Sequence, residues 1–362
     1  MSDRRTSRAQ GPGLRAASSG TSNPRLVGLS RAGYRALEKR RLDEAQRWFD
    51  QMLQVEARNT YALVGLAEVA RKRNDLKGAL GWFTQCLEAE PSNPFALKGA
   101  AECAWELRDY RRCVQAWETL LEVSGPDASV LTHLADGYRR LGDPARSEAA
   151  YRRALEMDPT NRYALNGLGN LLFDAERYAD AAEAWDRLLH RDPSNVQVLV
   201  CRGNCERKLR DFQRGLLFFT EAARIQRDNF YALYGIADCH RGLGSHEKSL
   251  ETWLAILRAS PGNRIILTRA GDACRSIGEL DQAERYYREA LSLGFDLYAE
   301  IGIALIQMIE GSLAPAVNRL QRLLEREPSN PRVLRALADC ERAAAGEAAA
   351  AGETSAAAAG AQ

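Results

Sequence analysis

Acidic or amide side chains recur along the chain, and many are followed three residues later by an arginine. The acid or amide residues are Glu68, Asp136, Asn204, Asp238 and Asp272, and the arginines are Arg71, Arg139, Arg207, Arg241 and Arg275. On one helix, an acid–arginine pair at this spacing neutralises itself and stabilises the helix by about 0.2–0.5 kcal/mol. The same groups could instead bind an extended peptide, with Asn and Asp accepting from backbone amides and Arg binding carboxylates. Both interpretations stay open at this point.

Five aromatic residues, separated by 34 residues or about twice that number, are each followed four residues later by a glycine. The aromatic residues are Tyr61, Phe95, Tyr163, Tyr231 and Tyr298, and the glycines are Gly65, Gly99, Gly167, Gly235 and Gly302. A glycine inside a helix costs about 1 kcal/mol relative to alanine, so its recurrence needs a reason. Either the ring and the bare backbone form a shallow pocket, or the glycine makes room for a neighbouring helix or ring.

The cysteines and histidines lack the spacing of a metal site. Cys201 and Cys205 are four residues apart, but no histidine or third cysteine accompanies them at the spacing of zinc ligands. Of the four histidines, only His133 is expected to face the same side as the residues above. The chain also lacks a glycine-rich phosphate loop, a nucleophile elbow and a paired-carboxylate site. We therefore predict no metal, no cofactor and no catalytic activity.

These residues fall at fixed positions of a 34-residue period. The repeats begin at Leu26, Thr60, Pro94, Ala128, Arg162, Val196, Phe230, Arg264 and Leu297, and the eighth is one residue short. Positions 8 and 20 are small, position 24 is large and mostly aromatic, and the apolar positions of each half have helical spacing. Glycines at the middle of several repeats and a proline and an asparagine at their ends mark helix boundaries. Each repeat is predicted to form two antiparallel helices.

This pattern resembles the tetratricopeptide repeat family over residues 26–330. The resemblance implies an all-α, right-handed superhelical solenoid of antiparallel helix pairs. We expect a disordered basic tail at residues 1–25. The solenoid is expected to span 26–342, with 331–342 as a capping helix, before a disordered Ala/Gly-rich tail at 343–362. The alternative is that the alanines of this tail extend the capping helix by a few turns.

The resemblance also implies a concave groove lined by the first helices of the repeats. We expect a noncatalytic scaffold or adaptor whose groove binds an extended peptide or helix of another protein. The expected groove residues are Tyr61, Phe95, Tyr163, Asn166, Asn170, Asn204, Tyr231, Tyr234, Asp238, Arg241, Asp272 and Arg275. Asn170 and Asn204 resemble two rungs of the asparagine ladder of O-linked N-acetylglucosamine transferases, but no glycosyltransferase domain follows. The carboxylate clamp of the family's co-chaperones is missing, so we do not predict binding of chaperone tails.

The ninth repeat carries an apolar stripe where other repeats carry polar residues. Ile301, Leu305 and Met308 have the i, i+4, i+7 spacing of one helix face. Either a partner helix or peptide docks on this stripe, or the capping helix and the Ala-rich tail cover it. We favour covering by the chain itself, because terminal repeats of a solenoid are atypical.

The charge distribution disfavours nucleic acid as the partner. The formal net charge is +2. Residues 1–25 carry a net charge of +4, so the rest of the chain carries −2. Nonspecific binding to nucleic acid needs a clustered basic surface. Two alternatives stay open: a nucleic-acid-binding solenoid that uses the arginines named above, and an accessory subunit of an enzyme or of a secretion or envelope assembly complex.

Cysteine usage and hydropathy indicate the cellular compartment of the protein. No window holds 18 consecutive apolar residues, so we predict no membrane span. The eight cysteines without a secretory leader predict free thiols in the cytoplasm. Residues 1–25 are Arg-rich and acid-poor, so a transit peptide is the alternative to a disordered tail. The sequence leaves the partner and the oligomeric state open.

Overall fold

The computed structural model describes residues 23–359, with side-chain surroundings up to residue 345. Over this part of the chain it has nineteen α-helices and no β-strand. Residues 1–22, most of the expected N-terminal tail, lie outside the described residues. The chain divides into two compact units, residues 1–188 and 189–362.

The helices of both units alternate regularly with short turns. The first unit contains α1 (Pro24–Glu38), α2 (Leu42–Val55), α3 (Thr60–Lys72), α4 (Leu76–Ala89), α5 (Pro94–Glu106), α6 (Tyr110–Ser124), α7 (Ala128–Arg140), α8 (Pro144–Met157), α9 (Arg162–Asp174) and most of α10 (Tyr178–Arg191). The second unit contains α11 (Val196–Lys208), α12 (Phe212–Ile225), α13 (Phe230–Gly242), α14 (His246–Ala259), α15 (Arg264–Ile277), α16 (Leu280–Ser292), α17 (Leu297–Ile309), α18 (Leu313–Arg326) and α19 (Pro331–Ala359).

The helix boundaries follow the sequence period. From α3 to α17, each odd-numbered helix begins at position 1 of a repeat, and from α2 to α18 each even-numbered helix begins at position 17. Within each unit, consecutive helices pack against one another. The predicted all-α solenoid of helix pairs is confirmed.

Asparagine side chains determine where most first helices begin. Asn59 accepts a hydrogen bond from the backbone N–H of Ala62 at 3.1 Å and donates one to Glu56 at 2.7 Å. Asn93 makes the same two contacts at the start of α5. An N-cap of this kind satisfies a free N–H of the first helical turn. The donation to Glu56 also ties the cap to the preceding turn.

The turn between the two helices of a repeat contains one residue with positive φ. Four repeats place a predicted glycine there, namely Gly142, Gly244, Gly278 and Gly311. In the other five repeats the residue is not glycine but Arg40, Asn74, Arg108, Glu176 or Arg210, with φ between 56° and 66°. The left-handed conformation costs an L-residue about 1–2 kcal/mol. The sequence did not predict these five residues, because four of the five are types that do not favour positive φ.

The large residue at position 24 explains the recurring glycines. Phe49 is completely buried, and a methyl group added at Gly33 or Gly65 would lie within 3.0 Å of its ring. Gly33 belongs to the same repeat as Phe49, and Gly65 belongs to the next one. The same close approach occurs between Phe83 and Gly99, Tyr151 and Gly167, Phe219 and Gly235, and Tyr287 and Gly302. The glycines thus make room for a buried ring, and the pocket interpretation is wrong.

The last helix is longer than expected. We expected a capping helix at 331–342 and a disordered tail at 343–362, whereas α19 continues from Pro331 to Ala359. Alanine has the highest helix propensity of all residues, so the Ala-rich stretch extends the helix. Residues 360–362 lie outside the described part of the chain.

Candidate functional site

The aromatic rings at position 2 lie on the first helices, and four of the five are exposed. In the first unit, the exposed fraction is 46% for Phe95 and 66% for Tyr163. In the second unit, it is 70% for Tyr231 and 47% for Tyr298. Tyr61 is half-buried, and its backbone carbonyl accepts a hydrogen bond from the Tyr34 hydroxyl at 3.1 Å. The four exposed rings therefore offer contact area to a partner.

Helix α9 of the first unit carries a ring and two amides on one face. Tyr163, Asn166 and Asn170 are three and four residues apart, a spacing that aligns side chains along a helix. Both asparagines are half-buried, and neither side-chain amide has a hydrogen-bond partner within the described part of the chain. Each amide carries a donor and an acceptor, as a peptide group does. This face, the α9 surface, can therefore hydrogen-bond to an extended backbone.

Asp238 in the second unit lies inside an ion-pair network. It is buried, and its carboxylate accepts from Arg207 Nη1 at 2.9 Å and from Arg241 Nη2 at 2.7 Å. Arg207 also donates to the Asn204 side-chain oxygen at 3.2 Å. Burial by itself raises the pKa of Asp238, but the hydrogen bonds and charges of Arg241 and Arg207 outweigh it and hold the pKa below its ordinary value. Asp238 is the counter-ion of two arginines, and its carboxylate is not free for the peptide contact expected from the sequence.

Asp272 pairs with a different arginine from the one expected. Its carboxylate lies 3.6 Å from Arg269 Nη1 and accepts a hydrogen bond from the Tyr287 hydroxyl at 2.9 Å. The sequence favoured Arg275, but Arg269 and Arg275 are both three residues away. Burial raises the pKa of Asp272, and the Tyr287 hydroxyl and the nearby arginines oppose this rise without cancelling it.

The remaining groove residues expected in the second unit have different degrees of exposure. Tyr234 is half-buried and packs edge to face on Trp253, with ring centroids 5.0 Å apart. Asn204 and Arg275 are half-buried, whereas the side chain of Arg241 is 46% exposed. Tyr234 therefore contributes mainly to packing, and Arg241 is the accessible member of the ion-pair network.

The apolar stripe of the ninth repeat belongs largely to the core. Ile301 is 8% exposed and shares a cluster with Val333 and Cys340 of α19. Leu305 and Met308 are half-buried against the same cluster. Ile301 therefore lies in a core that it shares with the capping helix.

A cavity of about 360 Å³ in the first unit was not expected. It is lined by Arg71, Leu76, Glu102, Cys103, Trp105, Glu106, Trp117 and His133, and we call it the tryptophan cavity. These residues come from α3 to α7. One signal was visible in the sequence: Trp105 stands where most repeats have arginine, and His133 stands where five repeats have glycine.

The rings and charges of the tryptophan cavity have defined contacts. Trp117 is buried and stacks on the exposed His133, with ring centroids 5.3 Å apart and planes 13° from parallel. Arg71 is shared by two carboxylates, Glu68 at 3.0 Å and Glu102 at 2.9 Å. Burial by itself lowers the pKa of Arg71, but these carboxylates outweigh it and raise the pKa above its ordinary value.

The described residues offer no metal site: none of them form a group of three His, Cys, Asp or Glu side chains that could hold an ion. None of the helices described is long and apolar enough to cross a membrane. The cysteines are free, and seven of the eight are buried.

Several solved structures are similar to this chain. The C-terminal part of a TPR repeat-containing protein from Cytophaga hutchinsonii is 13% identical with a TM-score of 0.50, over 76% of this chain and 99% of that one. A tetratricopeptide repeat protein from Parabacteroides merdae is 15% identical with a TM-score of 0.48, over 78% and 98%. YrrB, described as a TPR protein with an unusual peptide-binding site, is 19% identical with a TM-score of 0.47, over 51% and 95%. No curated protein sequence matches this chain.

The family itself follows from the sequence match. The tetratricopeptide repeat model matches residues 30–94, 99–162, 132–196, 166–230, 202–264 and 234–299. Together these segments cover well over half of the chain. The protein therefore belongs to the tetratricopeptide repeat family.

Proposed function

We propose that this protein is a noncatalytic scaffold or adaptor that binds an extended segment of a partner protein along its first helices. The observation that carries the proposal is the α9 surface of the first unit. There, two half-buried amides without hydrogen-bond partners among the described residues stand beside a ring that is 66% exposed. The amide groups of both residues reach solvent, so peptide groups of a ligand can replace the water that they bind.

The α9 surface offers two kinds of contact to an extended segment. Asn166 and Asn170 can each pair with a backbone N–H or C=O, and a hydrogen bond of this kind contributes about 0.5–1.5 kcal/mol net. The ring of Tyr163 adds apolar area, and its hydroxyl already accepts a hydrogen bond from Arg162 Nη2 at 2.8 Å. A few such contacts, with the exposed Phe95 ring of the same unit, correspond to roughly micromolar affinity.

The proposal is tested by selecting peptides from a random library on the full-length chain and measuring their affinities by fluorescence polarisation. Replacing both Asn166 and Asn170 with Ala removes two hydrogen bonds of about 1 kcal/mol each, so we expect about a thirtyfold loss of affinity. The matched control replaces Gln85 and Gln115, two exposed amides on the second helices of the same unit, and should bind normally. Unchanged affinity of the asparagine variant for every selected peptide would refute the proposal.

We further infer a location in the cytoplasm. The support is that all eight cysteines are free thiols, as expected in a reducing compartment.

The proposed scaffold is noncatalytic. The support for this part of the proposal is that the exposed polar groups of the first helices form ion pairs and amide faces rather than an acid–base pair.

A further inference from the structure

The tryptophan cavity has more negative than positive charge. Glu68 and Glu102 both bind Arg71, and Glu106 is the third carboxylate close to Cys103 in the cavity wall. Glu106 is exposed and has no ion-pair partner within the described residues. Burial raises the pKa of Cys103 in the cavity wall to about 11, so this thiol is neutral. One carboxylate at the cavity therefore lacks a cation.

The cavity also has an aromatic wall that attracts cations. Trp105 is half-buried, and its ring faces the guanidinium of the chain's own Arg140 at 5.9 Å from the centroid. This distance is near the outer limit of a cation–π contact, which extends to about 6 Å. The second tryptophan, Trp117, is buried and has one face covered by His133, so Trp105 and the exposed His133 are the more accessible rings of the cavity.

We propose that the tryptophan cavity binds an arginine side chain of the partner segment, an inference that rests on the proposed function. A guanidinium group stacks flat on an indole ring and can donate two parallel hydrogen bonds to one carboxylate. Trp105 and Glu106 both line the cavity and provide these two partners. The cavity volume of about 360 Å³ accommodates a long side chain. The partner segment would therefore carry an arginine where it passes α5 and α7.

The probe for this proposal is arginine amide, and citrulline amide is its uncharged isostere. The full-length chain is labelled with 5-fluorotryptophan, and the ¹⁹F resonances of Trp105 and Trp117 are assigned from Trp→Phe variants among the six tryptophans. We expect arginine amide to shift the Trp105 resonance in a saturable manner and citrulline amide to leave it unchanged. Equal shifts with both probes, or no shift with either, would overturn the proposal.

Three variants sharpen the test. Glu106→Gln should weaken arginine amide binding about threefold, the effect of one partly exposed charge pair. Glu122→Gln, an exposed acid on α6, is the control and should bind normally. Arg140→Gln should tighten binding, because it removes the competing guanidinium from Trp105; weaker binding in this variant contradicts the assigned geometry.

The two proposals fail separately. If arginine amide does not bind but the asparagine variant loses affinity for its selected peptides, the cavity loses its assigned ligand and the α9 surface keeps its role. If arginine amide binds and the asparagine variant is unaffected, the proposed peptide contact on α9 is wrong and the cation site stands alone.

Discussion

Two aspartates at the same position of neighbouring repeats have opposite pKa shifts. Asp238 has two guanidinium groups within 3 Å, and their charges outweigh its burial. Asp272 has one arginine at 3.6 Å and a neutral hydroxyl at 2.9 Å, and there burial dominates. A lowered pKa means that folding favours the ionised form, and a raised pKa means the reverse. The two residues should therefore respond differently to the same substitution.

Asp238→Asn removes the shared counter-ion of Arg207 and Arg241. We expect the free energy of unfolding at neutral pH to fall by about 2 kcal/mol, because buried charged groups lose a hydrogen-bonded partner. The contribution of Asp238 is complete above the unfolded-state pKa of about 4 and is lost as the pH falls through the lower folded-state pKa. Urea denaturation should therefore show the difference between wild type and variant shrinking in acid.

Asp272→Asn is the matched control at the same repeat position. Because the folded state disfavours ionised Asp272, this variant should lose little stability or gain some at neutral pH. The asparagine oxygen can still accept from the Tyr287 hydroxyl. Equal losses for the two substitutions, or a pH-independent loss for Asp238→Asn, would contradict the assigned shifts.

Gly99 is a residue whose replacement by alanine should destabilise the fold. A methyl group there would lie within 3.0 Å of the ring of Phe83, which is completely buried, so the packing around the ring must shift. We expect a loss of about 1–3 kcal/mol despite the better helix propensity of alanine. Gly81 in α4 has no atom within 4 Å of an added methyl group, so Gly81→Ala should stabilise the chain by about 1 kcal/mol. Thermal unfolding of both variants measures this contrast, and a gain at Gly99 would be inconsistent with the described packing.

At the scale of helices and turns, the turn between the two helices of each repeat has the same positive-φ conformation, although different residue types adopt it. Arg210 has a φ of 66° and Gly142 a φ of 75°, although their side chains differ completely. The conformation is therefore set by the two flanking helices and not by the turn residue. In the four repeats with Arg or Glu at this place, the packing of the helix pair outweighs the local preference of the residue between the helices.

Arg210→Gly should relieve this strain. We expect a stabilisation of about 0.5 kcal/mol, which is smaller than the cost of the left-handed conformation because glycine also gains freedom in the unfolded chain. The reciprocal change, Gly142→Ala, should cost about 1 kcal/mol. Differential scanning calorimetry of the two variants is the measurement. Destabilisation by Arg210→Gly would indicate that the arginine side chain makes a compensating contact.

The sequence predicted helices better than it predicted contacts between them. The starts of α3 to α18 follow from the period, because small and apolar residues recur at the same positions in every repeat and capping residues recur in most of them. Contacts between helices were harder to predict: spacing along one helix cannot choose between Arg269 and Arg275 as the partner of Asp272. The tryptophan cavity was missed for the same reason, since its walls come from five different helices.

At the scale of the whole molecule, the reactivity of the cysteine thiols depends on how well the repeats of both units are packed. Burial raises the pKa of Cys103 and Cys113 in the first unit, and of Cys201 and Cys274 in the second, to about 11. Thiolates are the reactive form of cysteine, so buried thiols with a raised pKa react slowly. The folded protein should therefore keep its thiols unreactive.

A thiol titration with a chromogenic disulfide reagent tests this expectation. At mildly alkaline pH, the native protein should show almost no fast-reacting thiol, and Cys201, the one that is not fully buried, should react first. In denaturant all eight cysteines should react at once. Fast reaction of several thiols before unfolding would show that the repeats open more readily than their packing implies.

The repeats of this protein are not interchangeable, because the side chain at position 24 of one repeat contacts a matching residue of the next repeat. Phe83 and Tyr151 direct the far end of the ring at a glycine of the following repeat, whereas Trp117 lies parallel to the ring of His133. A repeat therefore needs a glycine at this contact when the preceding repeat has phenylalanine or tyrosine at position 24. The repeat after Trp117 has room for a large side chain at the same place. In a variant with shuffled or duplicated repeats, the helices should therefore pack without a clash only where the position-24 residue and the residue that it contacts in the next repeat are transferred together.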